Sequence, residues 1–438
     1  MNGHDPVPTF ERLAASHPRM FWLDGGGARA WSGHRSMIGW LETGDVSLTY
    51  DAARREVWRH AHEARELAGH DIFATLETEL ARDGGDPSIS WVGYFGYPCR
   101  ADLPARTSVA EPDPSRAPDA VWMRAKNPLI FDHPPTDLSG GGSAMAPLPP
   151  DKSVGFEEYQ GWFERVQEQL RLGNSYEVNL TYRQSIESGV DPVSAYLRLR
   201  KLNPAPYSGY VQHHGTSVLS SSPERFATID RNRWVETRPI KGTTPRGATR
   251  EEDEQNAQAL RTEPKFRSEN LMIVDLLRND LSMVCDPGTV TVPVLMQVES
   301  YPSVHQLVST VRGRLRDGIT TISALKALFP AGSMTGAPKL RTMEIIAEVE
   351  SSPRGVYAGA LGWISGDGRA DLGVVIRTLV STDRSVTAGR AAVPSHAGTA
   401  RHTYEFGTGG AVTVRSDARS EHEETVWKSE LLLRSVTG

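Results

Sequence analysis

Residues 238–247 read RPIKGTTPRG. Two prolines, two glycines and three cations share these ten positions. Proline fixes φ, and glycine lets other groups approach the backbone closely. Lys241, between Ile240 and Gly242 at the predicted end of a strand, is therefore held in a rigid setting. An amine held that way suits chemistry better than solvation. A lysine paired with an acid is the structural alternative.

The 438 residues fit one large domain or two closely packed ones. Apolar residues make up 38% and charged residues 23%, the balance of a globular protein in water. A net charge of −6, with acids and bases interspersed, opposes a nucleic-acid partner, which would call for a basic stripe. No apolar run is long enough to span a bilayer, and no charged-then-apolar leader opens the chain, so no membrane partner is expected. Cys99 and Cys285 form no CxxC and read as buried thiols of a reduced, cytoplasmic protein.

Residues 1–133 read as mixed strands and one helix, whose signal runs over 52–80. Residues 134–152 are almost only turn chemistry and predict a linker. From 153 to 438 the patterns sharpen into a second region that packs with the first as one unit. Apolar residues at 156, 159, 162, 163, 166 and 170 predict an amphipathic helix. SYEVNLTYR (175–183) alternates, with Glu177, Asn179, Thr181 and Arg183 on one face. Such a face can meet solvent or wall an active site, and periodicity alone favours solvent. Further helices are predicted after Thr249, over 269–284 (apolar nearly all round, hence buried) and from Ser420. Thr249–Glu252 and Ser420–Glu423 have capping-box spacing. Residues 382–401 read as a long loop.

Glu421, Glu424 and Lys428 share one face of the last helix. Glu269 enters a buried run, which is costly for a carboxylate unless it is paired or metal-bound. Acids from two helices, without a His or Cys cluster, suit an oxygen-seeking ion such as Mg²⁺. Their spacing alone reads as helix-end and surface acids. EFGTGGAVT (405–413) and FPAGSMTGAPK (329–339) read as amide-rich loops, and neither matches a dinucleotide or Walker fingerprint. Glu224, in SSSPERF (220–226), is a general acid or the ion-pair partner of Arg225. His305 in isolation reads as a core histidine.

Taken in order, SPERF, RPIKGT, ENLMIVDLLRNDL, PSVHQLVSTVRGRL, FPAGSMTGAPK, VIRT and EHEETVWK resemble the motifs of the chorismate-utilising enzymes over about residues 153–436. That family includes anthranilate, aminodeoxychorismate, isochorismate and salicylate synthases. The N-terminal part fits more loosely. FWLDGGG (21–27) resembles a strand that lines a tryptophan pocket in some members, with Gly25 where a serine is usual. The implied fold is α+β, the anthranilate synthase component I-like fold, with two stacked β-sheets flanked by helices and the active site between them.

PIKGT (239–243) resembles the aminodeoxychorismate synthases, whereas anthranilate synthases read PIAGT. The resemblance implies an ammonia-dependent transferase that converts chorismate to 4-amino-4-deoxychorismate with Mg²⁺ as cofactor. The product would feed 4-aminobenzoate for folate or for an aromatic antibiotic. Lys241 would attack C2 as the C4 hydroxyl leaves, and ammonia would then add at C4 and expel the lysine. This needs a neutral amine, and Arg238 and Arg246 would lower its pKa if close. Glu224 is implied as general acid, and Glu269 and Glu424 as Mg²⁺ ligands with Glu421 beside them. His305 and Ser333 would line the ring-hydroxyl side, with Thr243 also against the substrate. Tyr357, Arg377, Lys428 and the N–H groups of Gly409 and Gly410 would hold carboxylates. Glu177 stands where salicylate synthases carry a water-activating lysine. Phe266 replaces an acid usual three residues before the metal-binding glutamate, and Ala411 replaces a glycine. With no glutaminase motif in the sequence, ammonia would come from a separate glutamine amidotransferase subunit. The alternatives are anthranilate synthase component I or another chorismate-converting synthase and, in a different class, a non-catalytic partner-binding scaffold.

Overall fold

A computed structural model of the chain describes residues 5–27, 32–107, 116–133, 154–301, 304–383 and 401–437. The expected linker 134–152 and most of the loop 382–401 lie outside them. Nine strands form one sheet and twelve the other. The regions before and after the linker share both sheets. Arg19–Asp24 pairs with Tyr207–His213, and Ile89–Phe95 pairs with Ala360–Ser365, both antiparallel.

The sheets pack face to face because strands of each present apolar residues to the other. Phe21, Val211 and Val218 of the nine-stranded sheet meet Val92, Tyr94 and Val121 of the twelve-stranded one. Helices cover the outer faces. Ile72–Arg82, Pro264–Ser282 and Thr321–Leu328 bury Phe73, Ile273 and Leu325 against the larger sheet. Val7–Ser16, Pro192–Leu202 and Ala418–Thr437 bury Phe10, Tyr196 and Leu432 against the smaller. Helix, sheet, sheet, helix is the expected α+β layering.

Three local expectations give way. The helical signal over 52–80 holds only at its end, in Ile72–Arg82, capped by Asp71. Glu56–Ala61 and Ala64–Gly69 instead form a hairpin. His62 and Glu63 take φ of 50° and 60° at its turn, which no α-helix contains. Pairing with Ser47–Asp51 gives Val57 a buried place, so tertiary contact overrides local propensity. The helix Pro264–Ser282 is buried on one side only, with Leu271 53% exposed. The last helix begins at Ala418 rather than Ser420, with the Asp417 carboxylate accepting from the Ser420 N–H at 3.0 Å.

Where the two sheets meet, His60 of the larger lies beside His213 and His214 of the smaller, with His60–His213 and His213–His214 ring centroids 5.4 and 4.7 Å apart. Thr49 Oγ1 lies 2.8 Å from His60 Nε2, and Ser47 Oγ lies 3.0 Å from His213 Nε2. Burial and neighbouring positive charge push all three imidazoles down, His60 from 6.5 to about 4. The unfolded chain therefore binds more protons than the folded one between about pH 6.5 and 4. Stability is expected to fall as pH falls through that window, by at most ~1.4 kcal/mol per pH unit for each histidine. Thermal unfolding between about pH 7 and 5 checks this. His213→Gln should flatten the slope; an identical slope in both proteins would reject the assignment.

Candidate active site

The opening decapeptide folds into the strand Ile240–Pro245 at an edge of the larger sheet. Its pairing register with Val304–Arg314 breaks between Ile240 and Thr243. Gly242 sits in that break at φ 91°, a conformation that favours glycine, and a Cβ there would stand 3.0 Å from Phe266 Cδ1. An irregularity of this kind re-aims the neighbouring side chain. Lys241 points into a cavity of about 120 Å³ lined by both sheets and by the helices Pro264–Ser282 and Ala418–Thr437.

The smaller sheet answers with a carboxylate. Glu177, Asn179 and Thr181 on the strand Glu177–Ser188 are buried, so their polar face does not meet solvent as periodicity alone suggested. The opposite face of that strand, Val178, Leu180 and Tyr182, packs under the helix Phe156–Arg171. Glu177 Oε1 accepts from Lys241 Nζ at 2.5 Å, and Ser333 O lies 3.3 Å from the same nitrogen. Burial would push the ammonium down, but the carboxylates of Glu177, Glu269 and Glu224 outweigh it and the net direction is up. The expected lowering by arginines is absent. Arg238 is engaged by Glu299, and Arg246 by Asp253 at 2.7 and 2.8 Å.

Glu224 lines the cavity and is not Arg225's partner; Arg225 reaches Glu236 at 2.5 Å. Ser333 Oγ donates to Glu224 Oε1 at 2.5 Å. Burial pushes the Glu224 carboxyl up to about 7, against the pull of Ser333 and Lys241. Thr243, Tyr357, Arg377, Gly409 and Lys428 also line the cavity. Burial pushes the Arg377 guanidinium down, and no ion pair engages it among the described residues. Arg183 stacks on the Tyr357 ring at 4.4 Å.

Two expectations need correcting. His305 does not line the cavity. Its Nε2 lies 3.0 Å from Asp253 Oδ1 and its Nδ1 2.8 Å from Ser300 Oγ. Successive residues of a strand face opposite sides, and the residue facing the cavity is Gln306, which sequence reasoning missed by one position. Gly407, Gly409 and Gly410 lie in the strand His402–Val412, not in a loop. A Cβ on Gly409 would stand 2.3 Å from Leu180 O, so the missing side chain makes room for the neighbouring strand, whereas a Cβ on Gly410 would meet Glu421 Oε2 only at ordinary contact distance, 3.4 Å. Lys428 Nζ donates to Gly409 O at 3.0 Å.

Lys265, also missed, donates to Glu421 Oε1 at 2.8 Å, while Lys428 pairs with Glu424 at 2.6 Å. Among the described residues no three acidic, His or Cys side chains converge closely enough to cage an ion. The donor set nevertheless fits a hard cation. Glu269, Glu421 and Glu424 offer oxygens to one cavity, and Glu269 Oε1 is buried without a partner. Burial and the charge of Glu177 push the Glu269 carboxyl up to about 8, against the pull of Lys241 and Lys265.

A family model described as chorismate binding enzyme matches residues 18–434. An aminodeoxychorismate synthase of Streptomyces pristinaespiralis is 37% identical over 99% of this chain, which spans 64% of that protein's length. An anthranilate synthase component 1 of Streptomyces coelicolor is 32% identical over 89% of this chain and 82% of its own. The solved anthranilate synthase component I from Streptococcus pneumoniae superposes with a TM-score of 0.71 at 22% identity, covering 98% of each chain.

The Lys241–Glu177 contact makes a chemical prediction. Glu177→Gln removes the largest influence that raises the ammonium's pKa. Labelling of Lys241 by an amine-selective reagent near pH 8, located by peptide mapping, should increase severalfold. Unchanged labelling would show that Glu177 does not hold the proton on Lys241.

Proposed function

The chain belongs to the chorismate-binding enzymes, and we propose that within this family it converts chorismate and ammonia to 4-amino-4-deoxychorismate without releasing pyruvate. The observation that carries this reading is Lys241, a buried amine aimed into the cavity and hydrogen-bonded to the Glu177 carboxylate. The aminodeoxychorismate synthase at 37% identity supports the same branch.

Glu177 takes the proton of Lys241, and the freed amine adds at C2 of the ring. The double bond shifts, the C4–O bond breaks, and Glu224 gives its proton to the hydroxyl, which leaves as water. Ammonia then adds at C4, the electron pair shifts back, and the C2–N bond to Lys241 breaks. Glu224 recovers a proton from the new ammonium, and Glu177 returns its own to Lys241. A carboxyl near 7 suits both directions of transfer at neutral pH. Arg377 and Lys428 hold the substrate's carboxylates. Glu269, Glu424 and Glu421 would hold Mg²⁺, which when bound supplies positive charge for the ring carboxylate.

Burial pushes the thiol of Cys99 well up and that of Cys285 to about 11, so neither suits attack on glutamine. Ammonia comes from a glutamine amidotransferase outside these residues, and a separate lyase makes 4-aminobenzoate for folate or an antibiotic. No helix among the described residues is long and apolar enough to cross a membrane. Its two unpaired, buried thiols suit a reducing compartment such as the cytoplasm.

Two measurements test the reading. Chorismate, Mg²⁺ and an ammonium salt should yield aminodeoxychorismate and no pyruvate. Lys241→Ala should abolish the product, and Glu224→Gln should slow it by ~10²–10⁴-fold. Anthranilate with pyruvate would move the chain to the other branch. The second is a calorimetric titration with Mg²⁺ alone. Because the cation must displace the proton on Glu269, affinity should rise up to tenfold per pH unit and level off above about 8. A pH-independent Kd would remove Glu269 from the ligand set.

A further inference from the structure

Gly407 of the strand His402–Val412 stands across from Arg183 of the strand Glu177–Ser188. A Cβ on Gly407 would collide with Arg183 Nη1 and with Tyr357 Cγ. The missing side chain is what lets the guanidinium lie 4.4 Å over the Tyr357 ring. Gly407 and Tyr357 line the cavity, and the guanidinium packs against both.

Arg183 has too little counter-charge. The carboxylate it meets, Glu350, is already gripped by Arg354 at 2.6 and 3.0 Å, and it accepts from the Thr181 N–H and hydroxyl at 2.9 and 2.7 Å. Arg183 Nη2 reaches Glu350 only at 3.4 Å and donates to Thr181 Oγ1 at 2.5 Å. Its Nε and Nη1 are buried without a hydrogen-bond partner among the described residues. Two guanidiniums thus share one carboxylate, and a cation held out of water in excess of its counter-ions costs stability. An anion bound on the far side of Tyr357 offsets that cost. The cation also draws electron density from the ring face it covers, which makes the phenol O–H a stronger donor. We propose that Arg183 is a positioning residue that acts through Tyr357, orienting the ring and strengthening the hold of its hydroxyl on a carboxylate of the substrate. This rests on the chorismate reading above.

Steady-state kinetics with chorismate, Mg²⁺ and an ammonium salt test this. Arg183→Met removes the charge and keeps an apolar side chain over the ring. KM for chorismate should rise about tenfold, with kcat and KM for ammonium within about twofold of the wild type. The melting temperature should stay within a few degrees, because Glu350 keeps Arg354 and Thr181 as partners. Arg183→Lys keeps the charge without the planar stack and should recover part of the lost affinity. The decisive readout is coupling. In a Tyr357→Phe background the hydroxyl is gone, and Arg183→Met should then change KM by less than about twofold. A full tenfold rise in that background would show that Arg183 does not act through the hydroxyl, and would overturn the inference. So would an unchanged KM in Arg183→Met beside an active wild type. Failure of Arg183→Met to fold would make the residue structural, with the same consequence. A wild type that consumes no chorismate overturns the proposed function, and this inference with it.

Discussion

The ammonium of Lys241 and the carboxylate of Glu177 lie 2.5 Å apart, out of water, and come from opposite sheets. Removing two charges from water costs several kcal/mol per ion, and attraction offsets that only when the geometry is tight. The distance between the sheets must therefore be fixed at this point. The break at Gly242 turns the lysine inward, and the layer under Phe156–Arg171 holds the carboxylate strand in place. Ser333 links the same lysine to Glu224, so the acid and the amine of the proposed reaction are set by one connected arrangement.

Charge balance explains the rest of the cavity. Four carboxyls, Glu224, Glu269, Glu421 and Glu424, line it beside four cations, Lys241, Lys265, Arg377 and Lys428. Lys265 and Lys428 quench Glu421 and Glu424, whereas Glu269 keeps an oxygen without a partner. A ligand with two carboxylates adds two negative charges beside these acids, and a divalent cation offsets them. Phe266 lies against Gly242 and leaves Lys265 as the nearby charge on that helix.

How much was legible depended on which physical scale set each feature. Short strings such as PIKGT and EHEETVWK carried the site, because their residue types are tied to the chemistry. The polar face of 177–183 was legible as a face, but its burial depends on a helix and a sheet distant in sequence. His305 and Gln306 show the sharpest limit. A strand alternates with period two, so a misreading by one residue puts the wrong side chain in the cavity. The hairpin over 56–69 was hidden for a related reason: its residues favour helix locally, and only the neighbouring strand pays for the alternative. The glycines of 407–410 looked like a loop because the backbone and side chains crowding Gly407 and Gly409 come from elsewhere in the chain.

The shared sheets also govern how the chain is made. Arg19 finds its register partner in His213, and Ser90 finds its own in Ser365. A strand early in this sequence has no finished sheet to join until a partner far along the chain has been made. Such topologies have high contact order and assemble slowly, with unpaired edges exposed meanwhile. Neither half can be expected to fold as an independent unit, because each lacks the partner strands that complete its sheets.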